Sequence, residues 1–371
     1  MTIEAYVKAK QVALGCSIEH RKKVYLDLNF WIVARDAALT PGNDGPAGEL
    51  LNLLREGVEQ GRLVCPIGDS VFMELMKQPL TEDRRLGTAR LVDELSLGVA
   101  MMPSDRRVAT EISILIHTIL GRGDALHSMK ELVWTKVCHV VGESYPLVEN
   151  LDPATLLQLQ KGFVDHLWEA PLVQMFEMIG DAWDASRDYV DLSADTNLER
   201  DRHAGEITSY ARAYEIEIAG AIDGAGDLIA DVLCGVGSAE GHRAPPPGSK
   251  AWEKTENFGK NVLLHAFTKL KAARIVRTLH IESALHAAMR VDKSRRFKPN
   301  DFYDLRHASA ALAYCDVFLT ERPLHDLVRR KQLDLLAING CQVCSDLNEA
   351  TGLLRKVMND TQPKGDAVPS C

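Results

Sequence analysis

Short apolar runs of strand length alternate with helix-like segments at both ends of this chain, and no other feature constrains its fold as strongly. Near the start, a strand-like run at 23–27 precedes a helix-like segment at 29–38. Near the end, a helix-like segment at 302–314 leads into a strand-like run at 316–320. Strands and helices that alternate in this way build a parallel sheet with helices on both faces. The sequence therefore predicts an α/β fold.

The same alternation predicts further elements. The additional helices span 49–59, 71–77, 84–95, 104–120, 323–330 and 347–357, and the additional strands span 62–67, 98–102 and 342–345.

The middle of the chain has a different pattern, because apolar residues from 121 to 254 follow helical spacing almost throughout. We therefore predict one α/β domain in two parts, 21–120 and 255–360, separated by a mostly helical insertion at 121–254.

Four smaller features complete this organisation. The pattern predicts an exposed Gly-, Pro- and Ser-rich loop at 235–250, a long helical stretch at 252–289, a flexible tail at 361–371, and one acidic helix face carrying Asp181, Asp184, Asp188, Asp191 and Asp195.

Composition excludes several classes of protein. The 43 basic and 52 acidic residues give a net charge of −9, which excludes a generally basic nucleic-acid coat. No apolar stretch approaches the roughly 18 residues of a membrane helix, and the first twenty residues lack an export signal. We therefore expect a cytoplasmic protein with reduced cysteines. Cys341 and Cys344 form a CxxC motif without the second ligand pair of a zinc site.

Four acidic residues stand where strands give way to helices. Asp27 ends the first strand, Glu321 follows the strand at 316–320, and Glu74 and Asp304 lie in the first turns of their helices. Ligands of open parallel sheets bind at the carboxyl ends of the strands, so these four acids should converge. Asp316 replaces Glu321 as the fourth acid if the strand boundaries differ from those predicted.

Converging carboxylates repel one another, and a divalent cation removes that cost. Oxygen ligands alone favour Mg²⁺ or Mn²⁺. Such a site suits hydrolysis of a phosphodiester bond, since one or two ions activate water and neutralise charge on the phosphate.

Four stretches, 24–31, 71–77, 300–322 and 341–354, resemble the PIN-like nuclease superfamily over half to two thirds of the chain. The resemblance implies a PIN-like fold and a ribonuclease whose Mg²⁺ or Mn²⁺ ligands are Asp27, Glu74, Asp304 and Glu321. The family more often has Asp in the fourth position, and its minimal fold lacks the long insertion.

Other residues are expected to support this site. Asn29 and Thr320 would hydrogen-bond the metal-bound carboxylates, and Asp301 would cap its helix. His307, one turn after Asp304, either touches the site or packs as an ordinary buried histidine.

A basic segment directly precedes the helix of Asp304. Its cations are Arg290, Lys293, Arg295, Arg296 and Lys298. These cations would bind RNA phosphates, and Phe297 would stack on a base. The alternative is that the segment is a solvated helix end.

We therefore predict a metal-dependent endoribonuclease. The resemblance also implies a toxin-like or defence role in which a protein partner restrains the enzyme, and the extra helices would serve recognition, restraint or homo-oligomer formation. Two alternatives stay open: a non-catalytic binding or scaffold protein on the same fold, and a metal-dependent phosphatase. The sequence has no P-loop and no GxGxxG, and Asp27-Leu-Asn29 lacks the second Asp of a phosphatase DxD motif.

Overall fold

The centre of the structure is a four-stranded parallel sheet. The computed structural model describes residues 2–40, 42, 45–123, 126–180 and 189–360. The strands are β1 (Lys22–Leu26), β2 (Leu63–Val64), β3 (Val99–Met101), β4 (Trp134–Lys136), β5 (Val317–Leu319) and β6 (Gln342–Cys344). The parallel sheet has the order β2-β1-β5-β6, while β3 and β4 form a separate antiparallel pair.

Helices surround this sheet, and the structure is 68% helical. They are α1 (Ile3–Ile18), α2 (Leu28–Leu39), α3 (Pro46–Glu59), α4 (Asp69–Met76), α5 (Arg85–Ser96), α6 (Ser104–Ile119), α7 (Met129–Leu132), α8 (Pro153–Glu169), α9 (Leu172–Ile179), α10 (Val190–Arg202), α11 (Tyr210–Gly224), α12 (Gly226–Ala239), α13 (Lys250–Lys269), α14 (Arg277–Val291), α15 (Pro299–Tyr314), α16 (Arg322–Val328) and α17 (Leu347–Asp360).

The buried residues of the two central strands, Val24–Leu26 and Val317–Leu319, form continuous apolar runs because helices cover both of their faces. Val24 pairs with Val317 and Leu26 pairs with Leu319, and all four side chains are fully buried. A strand buried on both sides has no polar face, which explains the continuous apolar runs that the sequence shows. The predicted α/β fold is confirmed.

Two predicted strands differ from those observed. The strand predicted at 62–67 contains only Leu63–Val64, because Pro66 has no N–H with which to continue the ladder. The strand predicted at 98–102 pairs with β4, so it belongs to the antiparallel sheet, and a bridge from Ile67 to Ala100 links it to the chain after β2.

Several helix boundaries also differ. Helix α1 was not predicted, and its first turn is capped by Thr2, whose side chain accepts a hydrogen bond from the Ala5 N–H at 3.2 Å. The helical stretch predicted at 252–289 is two helices, α13 and α14, and the loop predicted from 235 begins only after α12. Asp191 and Asp195 are exposed on α10. Asp181, Asp184, Asp188 and the tail at 361–371 lie outside the described residues.

The middle segment contributes to the main hydrophobic core. Val133 and Phe176, from the segment predicted as an insertion, are buried in the same cluster as the sheet. A second cluster joins α6, α11, α12, α13 and α14, with Ile112, Ile218 and Leu263 at its centre.

Cys341 and Cys344 are buried free thiols; Cys341 directly precedes β6 and Cys344 is its last residue. Within the part of the chain that the structure describes, no helix is long and apolar enough to cross a bilayer.

Candidate active site

Asp27 lies at the carboxyl end of β1, where the chain turns into α2. One of its carboxylate oxygens accepts a hydrogen bond from the Phe30 N–H at 3.1 Å, which caps α2, and the other accepts from the Glu321 N–H at 2.9 Å. The residue is only 6% exposed. Burial raises the pKa of Asp27, although the charge of His307 and these backbone bonds partly offset that effect. Asp27 therefore joins the ends of β1 and β5.

His307 connects three elements beneath the same edge of the sheet. It lies on α15, and its Nε2 is 2.7 Å from a carboxylate oxygen of Glu74 on α4. Its Nδ1 is 2.9 Å from the hydroxyl of Tyr25 and 3.0 Å from that of Ser70. Because a carboxylate can only accept, Nε2 carries the proton donated to Glu74.

The charge on His307 is set by its acidic neighbours. The ring is buried, and burial alone would lower its pKa. The negative charges of Glu74, Asp27 and Asp304 outweigh this effect, so the pKa of His307 is raised. The imidazolium is thus the counter-ion of the acidic cluster, by which we mean Asp27, Glu74 and Asp304.

Asp304 has the most strongly perturbed carboxyl group of this cluster. Burial, followed by the negative charges of Glu74, Asp301 and Asp27, raises its pKa to about 7, while His307 acts in the opposite direction. One imidazolium therefore does not balance three carboxylates. Side chains with such a perturbed pKa inside a cleft are typical of functional sites.

The end of β5 completes this edge of the sheet. Thr320 is fully buried, and its hydroxyl adjoins Asp27 but has no partner in hydrogen-bond geometry among the described residues. Glu321 is exposed and precedes α16. Asn29 is exposed on the first turn of α2.

Asp304 and Glu321 open into a shared cleft of about 580 Å³. The other lining residues are Ser294, Arg295, Arg296, Lys298, Asn300, Asp301, Pro323 and Leu324. Three cations of the basic segment therefore border the cleft into which Asp304 and Glu321 open, whereas Asp27 and Glu74 are not among its described lining residues.

Several cations of the basic segment have acidic partners. Arg295 pairs with Asp301 at 2.9 Å and Arg296 pairs with Asp201 at 2.6 Å. Lys293 and Lys298 are exposed. Asp301 also accepts a hydrogen bond from the Lys298 N–H at 2.8 Å, so its predicted capping role is confirmed.

Phe297 is buried and stacks on His286 at a ring distance of 5.0 Å. The prediction that it stacks on a base is wrong, because its ring belongs to the core.

Asp316 lies at the opposite end of β5 from Glu321. Its carboxylate pairs with Lys22 at 3.0 Å and accepts a hydrogen bond from the Lys23 N–H at 2.9 Å. The strand thus separates it from the acidic cluster, and Glu321 is the acid at the carboxyl edge.

Sequence reasoning missed the groups that hold His307 and the basic segment in place. Tyr25 is the one polar-tipped side chain among the three buried residues of β1, which was a usable signal. Asn197 on α10 forms two bonds with the backbone of Phe297, at 3.0 and 2.9 Å, and no local pattern indicated this contact.

The acidic cluster offers oxygen donors of the kind that Mg²⁺ and Mn²⁺ prefer. Within the described residues, however, no three Asp, Glu, His or Cys side chains are already arranged to hold a metal ion. Existing hydrogen bonds explain why the acids are not arranged around a common point. The Glu74 carboxylate faces His307, and the Asp27 carboxylate accepts from backbone N–H groups. The donor chemistry fits such an ion, and Glu74 would coordinate it through the carboxylate oxygen that is not bonded to His307.

Comparison with known proteins finds no matching family model, no similar curated protein and no similar solved structure.

Proposed function

We propose that this protein is a metal-dependent endoribonuclease with a PIN-like arrangement of its α/β domain. The observation that carries the proposal is the convergence of Asp27, Glu74 and Asp304 around His307 at the carboxyl edge of a parallel sheet. These acids come from β1, α4 and α15, which are far apart in sequence. Burial, together with repulsion from Glu74, Asp301 and Asp27, raises the pKa of Asp304 to about 7, and this favours a cation more highly charged than one imidazolium.

Asp27, Glu74 and Asp304 would hold Mg²⁺ or Mn²⁺, with Glu321 as the fourth acid at the mouth of the cleft. The bound ion supplies a water of lowered pKa and neutralises charge on the phosphate. His307 would keep Glu74 oriented, since its ring is itself fixed by Tyr25.

The proposed substrate class is RNA, single-stranded or structured. The support is the basic border of the cleft, where Arg295, Arg296 and Lys298 lie beside Asp304 and can contact phosphates of a bound strand. The preference for RNA over DNA rests on the PIN-like resemblance of the sequence.

The decisive experiment measures Mn²⁺-dependent cleavage of labelled RNA by Asp27→Asn and Asp304→Asn, with Asp316→Asn as the matched control. We expect the first two variants to lose cleavage while they stay folded, because each loses a negative charge from the acidic cluster. The control should cleave at the wild-type rate, since Asp316 lies at the other end of β5. Wild-type cleavage by Asp27→Asn and Asp304→Asn would refute the proposal, and hydrolysis of a small chromogenic phosphate ester without RNA cleavage would indicate a phosphatase.

A second candidate is a non-catalytic binding protein that uses the same cleft. The observation that favours it is the contact between His307 and Glu74, since an internal imidazolium already supplies one counter-charge. This candidate predicts that calorimetry with Mn²⁺ detects no binding while RNA still binds. The nuclease proposal predicts that metal binding is present in the wild type and is lost in Asp304→Asn.

A further inference from the structure

A second, smaller pocket lies beside the basic segment, where the ends of α10 and α14 meet. Its volume is about 210 Å³, and Arg200, Arg290 and Lys293 contribute to its lining. Pockets for whole small molecules usually measure about 300–1,000 Å³. A pocket of this size suits a single charged group better than a nucleoside.

Two of these cations are held in place, and Arg290 also has a buried hydrogen-bond donor without a partner among the described residues. Arg200 is only 7% exposed, and one of its terminal nitrogens donates to the carbonyls of Asp292 and Lys293, at 3.1 and 2.7 Å. Its other terminal nitrogen has no hydrogen-bond partner among the described residues. Arg290 pairs with Glu217 through one terminal nitrogen, and its buried Nε has no partner among them either. Leaving the buried Nε of Arg290 without a partner is costly, which favours a ligand that would accept a hydrogen bond from it.

The charge balance of the pocket is positive. Asp201 is the one acid in its lining, and it pairs with Arg296 at 2.6 Å, so its charge is already offset. Lys293 is exposed at the rim and has no ion pair among the described residues. The charge of Arg290 is likewise offset by Glu217, so Arg200 and Lys293 are the cations of the lining that have no acidic partner among the described residues.

From this geometry we infer that the pocket binds a phosphate group. Lys293 lines the pocket and Arg295 lines the active-site cleft, so a strand held in the cleft can place a neighbouring backbone phosphate here. Planar guanidinium groups such as those of Arg200 and Arg290 match the oxygens of a phosphate. The assignment to an RNA phosphate rests on the proposed function, whereas the assignment to a phosphate group does not.

The test uses the full chain in EDTA, so that no cleavage occurs. Inorganic phosphate is titrated by calorimetry, and a short labelled oligoribonucleotide by fluorescence anisotropy at several salt concentrations. The pocket variants are Lys293→Gln and the charge-balanced double variant Arg290→Gln with Glu217→Gln, which leaves no unpaired buried carboxylate. The matched control is Lys254→Gln, which removes an exposed lysine from α13.

We expect each pocket variant to weaken phosphate binding about tenfold. For RNA, we expect the salt dependence to become shallower by about 0.7 in its logarithmic slope per lost contact. The control should match the wild type with both probes. If only phosphate binding changes, the pocket holds a free anion, and if only RNA binding changes, it holds a backbone phosphate. Wild-type binding of both probes by both pocket variants would overturn the inference, and because no cleavage is measured, this outcome is separate from failure of the nuclease proposal.

Discussion

The two ends of the parallel sheet contain the same type of side chain in opposite electrostatic situations. At the amino end, Asp316 pairs with Lys22 and accepts a backbone N–H from Lys23, so its charge is matched. At the carboxyl end, the three acids of the acidic cluster share the single imidazolium of His307. The comparison shows that an acid whose charge is matched by its own partners stabilises the contact between strands. Acids that share one cation repel one another, and a bound cation can reduce that repulsion.

The largest expected difference between the two ends is in the dependence of stability on pH. The pKa of Asp304 is about 7 in the folded protein, whereas an unfolded Asp titrates near 3.9. Between about pH 4 and 7 the folded state therefore binds more protons than the unfolded state, and the free energy of unfolding falls as pH rises. In EDTA we expect Asp304→Asn to raise the free energy of unfolding at pH 8 by about 2–4 kcal/mol. Urea unfolding at pH 5 and pH 8 measures this change.

His307 contributes a pH dependence of the same sign. Its raised pKa stabilises the folded protein at low pH, and that stabilisation is lost as pH rises through the folded value. Asp304→Asn should therefore flatten the pH dependence without abolishing it. The control Asp191→Asn, at an exposed position on α10, should follow the wild type. Identical pH profiles for Asp304→Asn and the wild type would show that the pKa of Asp304 is not raised in the folded protein.

A metal ion should stabilise the carboxyl end alone. An ion that binds only the folded state at 100 times its dissociation constant raises the free energy of unfolding by about 2.7 kcal/mol. We expect Mn²⁺ to raise the melting temperature of the wild type and of Asp316→Ala, but not that of Asp27→Asn. Melting curves in Mn²⁺ and in EDTA test this expectation, and an equal rise in all three proteins would place the ion elsewhere.

The amino end should respond to mutation by losing stability. Asp316→Ala leaves the Lys23 N–H without its acceptor and removes the pair with Lys22. We expect a loss of about 1–2 kcal/mol, mostly from the backbone bond, because the Lys22 pair is partly exposed. Denaturant unfolding measures it, with Lys22→Gln as the control for the pair alone. A loss as large in the control as in Asp316→Ala would assign the stabilisation to the ion pair.

The sequence predicted the acids at the carboxyl edge because strand-end positions follow from local pattern. Asp27 follows an apolar run, and the carboxyl end of every parallel strand points the same way, so placing Asp27 and Glu321 together needed no tertiary information. The separate pairing of β3 was not predictable, since a strand's partner depends on chain that is distant in sequence. The contact between Asn197 and Phe297 was not predictable for the same reason, because it joins residues one hundred positions apart in sequence. Burial of Phe297 depends on His286, another contact that no local spacing encodes.

The smallest expected change in stability concerns Glu321, at the other end of β5 from Asp316. Its side chain is exposed, so Glu321→Gln should change the free energy of unfolding by no more than about 0.5 kcal/mol. If Glu321 is the fourth acid, the same variant should cleave RNA about tenfold more slowly, because support of a metal ligand set is typically worth that factor. Glu59→Gln, at an exposed end of α3, is the matched control. Cleavage by Glu321→Gln at the wild-type rate would leave three acids at the site. Asp316 and Glu321, at the two ends of β5, would then differ only in how much each contributes to the free energy of unfolding. Asp27, Glu74 and Asp304 would be the acids required for cleavage.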